Sequence, residues 1–406
     1  LAVTPTRPPL DEIKREGQAR ILDVLAALGV PWKRANTNYI SICNPVVKDR
    51  HPSFTIWTAG AAAGAFKDHR GCAAGDLVDL VAYLKGWSRG NDKAGRKEAI
   101  EWLAGFLGLW NLTDGERERL RTKRQVAAAT ASARAARDLS RDQERARLAF
   151  YAAPGIEGTP VETYLASRGI ELDLIPKGSR GGARVRDMPL RYLPAEHALA
   201  YHRESAKGMP CMLAGCVDWQ SGKVKALHRT WLKPDGSGKA DVEPNKKLWP
   251  AGSGLVIPLW RGESNLRLGE AIAAGLLEPL MLTEGIEDAL TSVLREPELR
   301  TWAFISLGNL GKVVIPPCID RVMLHKHYEP TNLTATKAFE AGRHAIWRQG
   351  EIEVVVREVK DPRTGKDFND EWRVERARRK QWIESPEAKR QQERLAKYYE
   401  RKGRGT

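Results

Sequence analysis

The sequence lacks the features that would place it outside the reducing interior of a cell. Its five cysteines, Cys43, Cys72, Cys211, Cys216 and Cys318, are an odd number with no Cys-x-x-Cys pair. That argues against a disulfide framework and fits free thiols. No apolar run approaches the roughly 18–20 residues that cross a bilayer. The start also lacks the basic segment and apolar segment of a secretory signal. We therefore expect a cytoplasmic protein with no membrane partner. The first residue is Leu rather than Met, so a processed or trimmed start is expected.

Acidic charge is in deficit as well. Against 66 Lys and Arg stand 51 Asp and Glu, a net charge of +15, and the pI is near 9.6. Clustered cations release condensed counterions when they neutralise phosphates, so this excess favours a polyanionic partner without naming it. The 406 residues are too many for one ordinary core and imply two or three domains. The hydrophobic share of 42% is enough to build them.

Ile13, Ile21, Leu25 and Leu28 recur at helical spacing and end at Gly29, a helix stop. From Tyr39 to Phe66 the period changes to two, with Ile40 and Ile42, then Phe54 and Ile56, around the turn Lys48 to Pro52. This predicts a small sheet. Helical periodicity returns at Leu77–Leu84 and Ala99–Leu107, closing a module at about 10–110. Residues 111–150 are rich in Arg, Lys and Ala with few large apolar groups, which predicts a charged helical linker. A globular segment with strand-like runs at 211–217, 223–232 and 254–260 fills 151–276. Alternating units follow at 277–372: strand Leu280–Thr283, helix Ile286–Arg295, strands Trp302–Ser306 and Arg321–Leu324, helix Thr334–Gln349 and strand Ile352–Val356. Strands separated by helices imply a parallel sheet with right-handed crossovers. A basic helical tail occupies 373–406. The expected class is α/β within a multidomain α+β chain, with a Rossmann-like sheet in the C-terminal half and a small α+β module in front.

The most specific segment is Leu282-Thr283-Glu284-Gly285-Ile286-Glu287-Asp288. A carboxylate at the end of a parallel strand, followed by Gly and a helix, lies where open α/β sheets bind ligands. Asp288 stands one turn beyond Glu284, so both can face one crevice. Downstream come Ser306-Leu307-Gly308-Asn309 and Gly365-Lys366-Asp367-Phe368-Asn369-Asp370. Together these strings resemble the Toprim domain of primases carried by bacteria, phages and plasmids. The resemblance implies a DNA primase-type nucleotidyltransferase of a mobile element, making short RNA primers on single-stranded DNA from nucleoside triphosphates. It implies Glu284, Asp288 and Asp367 as catalytic acids, and Mg²⁺ or Mn²⁺ held by Glu284, Asp367 and Asp370. Hard oxygen ligands would let the ion shield charge developing on the phosphoryl group.

The chain departs from that family where an Asp-x-Asp pair normally ends the central strand. Here stands Leu324-His325-Lys326-His327-Tyr328-Glu329-Pro330. Three readings stay open: a DNA-binding replication or defence accessory factor without metal turnover, a weak Mg²⁺ site using Glu329, or a transition-metal site using His325 and His327. Toprim cleavage of DNA is a further alternative.

Gly222 to Trp231 resembles the basic strand of primase cores and Pro244 to Leu248 their following Lys-bearing turn, which makes Arg229, Lys246 and Lys247 the phosphate-contact candidates. The segment Gly158 to Ile170 resembles the opening of the same core and reads as structural. Cys43-Asn44-Pro45, Asp49 to Phe54, Gly64 to Asp68 and Gly75 to Leu80 resemble a primase zinc ribbon. Tetrahedral Zn²⁺ needs four ligands, and the available set is Cys43, His51, His69 and Cys72. Asn-Pro at the first ligand pair is like zinc-free variants, so zinc is not expected. No Gly-x-x-x-x-Gly-Lys-Ser/Thr loop occurs, so any replicative helicase would act in trans.

Overall fold

A computed structural model describes residues 8–30, 38–47, 52–71, 73–90, 92–110, 112–176, 189–329, 331–359, 365, 367–386 and 390. The chain divides into two units, Leu1–Ala131 and Ser132–Thr406.

The first unit opens with helices α1 (Leu10–Ala19) and α2 (Ile21–Ala27), and Gly29 then turns the chain at φ 68°. Strands β1 (Tyr39–Ile42), β2 (Phe54–Trp57), β3 (Phe66–Asp68) and β4 (Ala74–Gly75) form an antiparallel sheet in chain order. Helices α3 (Leu77–Leu84) and α4 (Arg96–Phe106) complete the unit. Asp76 caps α3 in a reciprocal box with Asp79, satisfying donors that the first turn leaves open. A β-carbon on Gly17 would run into the Leu77 side chain, so glycine is what lets α1 lie against the start of α3. Ile13, Leu25, Ile40, Phe54, Ile56, Leu80 and Leu103 form the core. Beside it Asn44 donates to Asp68 Oδ2 at 2.8 Å, and Asp68 Oδ1 accepts the Arg70 backbone N–H at 2.9 Å.

Helix α5 runs from Asp114 to Ala152. Its charged length ends in a packed face: Ala146 and Phe150, four residues apart, are buried among Leu193, Leu213, Leu227 and Trp231. The second unit continues with α6 (Pro160–Ser167), β5 (Leu190–Leu193), the short hairpin β6 (Tyr201–His202) and β7 (Lys207–Gly208), then β8 (Cys211–Asp218), β9 (Lys223–Trp231) and β10 (Lys246–Trp249). Strands β10, β9, β8 and β5 form an antiparallel sheet in that order.

The second sheet recruits β11 (Ile257–Arg261) from before residue 277, after which comes α7 (Leu268–Ala273). Then follow β12 (Glu278–Thr283), α8 (Ile286–Arg295), β13 (Arg300–Ala303), α9 (Leu307–Leu310), β14 (Ile319–Lys326), α10 (Leu333–Trp347) and β15 (Glu353–Glu358). The order is β11, β13, β12, β14, β15. Only the β11 and β13 pair is antiparallel. The mixed α+β class and the parallel sheet expected from the sequence are therefore present.

Strand β13 stops at Ala303 rather than Ser306. Ile305 sits at φ 75°, a conformation strained for a β-branched residue, and Ser306 already caps α9. One face of the sheet packs Leu280, Leu282, Val322 and Leu324 with Phe339 and Ile346 of α10. On the other side α8 puts Ile286, Ala289, Leu290 and Val293 against Met212, Ala214 and Ala226 of the antiparallel sheet.

The chain leaves β12 toward β13, then returns to place β14 on the opposite flank of β12. Such a switch opens a crevice at the carboxyl ends of the neighbouring strands. Helix α11 (Phe368–Glu384) closes one side, fastened by Trp372 Nε1 donating to Gly169 O at 2.8 Å and by Asn369 Nδ2 donating to Arg168 O at 2.9 Å. The expected tail from residue 373 thus starts inside α11, and residues 391–406 lie outside the described ones.

Candidate functional site

Glu284 is the first residue beyond β12, its carbonyl held by the Ile305 N–H at 3.1 Å. Asp288 follows on the first turn of α8 and is buried. His327 is the first residue beyond β14, so the two strand ends bring these three groups together. Asp288 Oδ2 lies 2.8 Å from His327 Nε2, and because a carboxylate accepts, this nitrogen carries the proton. His327 Nδ1 stands 4.0 Å from Glu284 Oε2. Asp288 Oδ1 accepts the Asn369 backbone N–H at 2.9 Å. Asp367 caps α11, accepting the Asp370 N–H at 2.8 Å, while Glu329 accepts from Asn332 Nδ2 at 2.8 Å.

These side chains line a crevice of about 720 Å³ together with Lys246, Lys239, Arg168 and Lys326. Burial opposes charge on His327, but the hydrogen bond and charge of Asp288, with Glu284 and Asp367 behind them, lift the imidazole to about 9. Burial pushes Asp367 up to about 6, helped by the negative charge of Asp288. Burial also raises Glu284, with His327 and Lys246 holding it back. Glu287, one residue before Asp288, resists its own burial because Lys239 at 2.9 Å and the Tyr164 hydroxyl both donate to it, and it falls to about 2.

The sequence candidates divide. Glu284, Asp288, His327, Glu329, Asp367 and Lys246 share the crevice. His325 borders it, but its ring is buried against Phe368 at 3.6 Å and stays neutral, desolvation pushing it down to about 3. The two histidines therefore make separate contacts. Asp370 stands behind Asp367, 3.5 Å from Arg168 Nη2. Lys246 and Lys247 are neighbours on β10, and the pleat turns them to opposite faces. Lys246, opposite Thr230, looks into the crevice. Lys247, opposite Arg229, pairs instead with Glu204 at 2.9 Å. Arg229 donates to Leu199 O at 2.9 Å and lies over the Trp231 ring. Neither Arg229 nor Lys247 reaches the crevice.

Among the charged crevice residues, Arg168, Lys239, Glu287, Lys326 and Glu358 had no assigned role in the sequence. Arg168 follows a helix read as structural, and Lys239 follows a Gly-rich turn. Nothing in their local pattern signals a site so far along the chain. His228 on β9 lines a small neighbouring cavity with Lys239, Lys246 and Glu284, buried with its Nδ1 lacking a partner and held down to about 4 by desolvation.

The donor set does not fit a resident divalent ion. Asp288 has one protein donor on each oxygen, and Asp367 and Glu329 each hold one. Among the described residues, no group of three or more His, Cys, Asp or Glu side chains is arranged to hold a metal. Of the zinc candidates, Cys43 is exposed and His69 Nε2 faces Thr55 Oγ1 at 3.1 Å. His51 and Cys72 lie outside the described residues.

Residues 140–259 match a family described as a domain of unknown function, DUF7146. No curated protein matches the chain. Among solved structures, the zinc-binding and RNA polymerase domains of the Aquifex aeolicus primase are 16% identical, with a TM-score of 0.36 over 90% of this chain and 81% of that one. The DnaG catalytic core is 12% identical, with a TM-score of 0.34 over 58% and 75%. The primase fragment of the bacteriophage T7 primase-helicase protein is 13% identical, with a TM-score of 0.32 over 50% and 66%.

Proposed function

We propose that this chain is a Toprim primase-type protein of a mobile replicating element, and that its crevice receives the phosphates of single-stranded DNA or of a nucleoside triphosphate. The observation that carries this is the convergence of Lys246, Lys239 and Arg168 with Glu284, Asp288 and Asp367 at the carboxyl ends of β12 and β14. The cations suit phosphate oxygens. The acids interleaved with them, Asp367 beside Arg168 among them, would orient the ligand's hydroxyl groups. The net charge of +15 and the Gly365 to Asp370 string support the same assignment. Binding without turnover is favoured over primer synthesis because His327 stands against Asp288.

Fluorescence anisotropy of a labelled single-stranded oligonucleotide over a salt series tests the role. Lys246→Ala should weaken binding and flatten the slope of log K against log salt by about 0.7, the value for one lost phosphate contact on a single strand. Lys247→Ala should leave the slope unchanged. An unaltered slope for Lys246→Ala would remove the crevice from the interface. Labelled ribonucleotides supplied with Mg²⁺ or Mn²⁺ on a single-stranded template should not be incorporated, and incorporation would restore the synthetic role.

A further inference from the structure

We infer, resting on the phosphate-binding role proposed above, that the His327 side chain occupies the cation position of the crevice and makes ligand binding independent of divalent metal. Geometry carries the inference. The imidazole stands at the strand end, where it donates to Asp288 Oδ2 at 2.8 Å and lies 4.0 Å from Glu284 Oε2. A metal ion bridging these two acids would have to stand where the ring does. The other Asp288 oxygen is taken by the Asn369 N–H at 2.9 Å, so the carboxylate cannot simply rotate to offer a vacant edge. Asp367 is turned toward its own helix as a cap. Removing His327 alone from the cluster would leave Glu284 and Asp288 facing each other across a space lined by oxygen, the donor type that hard divalent cations select.

The full-length chain titrated with Mn²⁺ and followed by electron paramagnetic resonance of the free ion provides the test. The wild type should leave Mn²⁺ free at concentrations of hundreds of micromolar, whereas His327→Asp should bind one equivalent. One equivalent bound by the wild type and lost in Glu284→Gln would overturn the inference. So would a His327→Asp protein that melts like the wild type yet binds no Mn²⁺. Should His327→Asp fail to fold, the wild-type titration still decides. In parallel, anisotropy of the labelled oligonucleotide should agree within twofold between EDTA and Mg²⁺, and binding abolished by EDTA would also overturn the inference. Failure to bind the oligonucleotide in either buffer would instead defeat the proposed phosphate-binding role, while the Mn²⁺ titration would still decide what His327 replaces.

Discussion

Asp68 in the first unit and Asp367 in the second are both drawn away from water, and their surroundings treat the charge in opposite ways. Asp68 is buried, yet the side-chain and backbone donors of Arg70 and the amide of Asn44 overcome desolvation and take it down to about 2. Asp367 has one backbone donor and a distant Arg168, and it faces Asp288 and Asp370. The first carboxylate is an organising crosslink between strand β3 and the loops that hold Asn44 and Arg70. The second belongs to a crowd of like charges kept close, an arrangement that structure alone does not require and that functional sites often show.

The largest effect expected from this contrast is that of Asp68→Ala. It strips acceptors from the buried Asn44 amide and from the Arg70 N–H, at about 1–3 kcal/mol for each buried group left unsatisfied. Hydrogen exchange should lose protection across residues 54–84 while residues 280–326 keep theirs. Equal loss in both would mean that the units do not respond separately.

Acid titration should separate the two sites next. Asp68 has a folded pKa below its unfolded value, so it contributes stability above pH 3.8 that is lost as pH falls through about 2. Asp367 has a folded pKa above its unfolded value, so its contribution runs the other way. It is fully present below pH 3.8 and declines as pH rises through about 6. Melting temperatures of the wild type, Asp68→Asn and Asp367→Asn across pH 2–7 should give difference curves of opposite slope. Parallel curves would break the comparison.

The smallest loss of stability is expected for Asp367→Asn at neutral pH. Asparagine caps a helix about as well as aspartate and removes one of the crowded charges. Stability should therefore equal or exceed that of the wild type, because the charge that burial and Asp288 oppose is gone. Chemical denaturation that showed a loss instead would mark Asp367 as a structural acid like Asp68.

Much of the second unit was legible before any coordinates. Leu280, Met281 and Leu282 form a short apolar run, followed by an amphipathic helix, and that change of period places Glu284 at a strand end and Asp288 one turn later. The parting of Lys246 and Lys247 was not legible, because their segment resembles a turn in sequence and only its pairing with β9 as strand β10 sends the two side chains to opposite faces.

The sequence by itself determined the alternation of strands and helices, the acids at their ends and the excess of positive charge. These follow from local periodicity and composition, which act over a few residues. Tertiary structure alone decided that β11 joins the sheet as its antiparallel edge, that Arg168 and Lys239 enter the crevice, and that His327 reaches Asp288 across 39 residues. Those contacts arise from the docking of whole elements, whose free energy is spread over many buried side chains and leaves no mark at any one position.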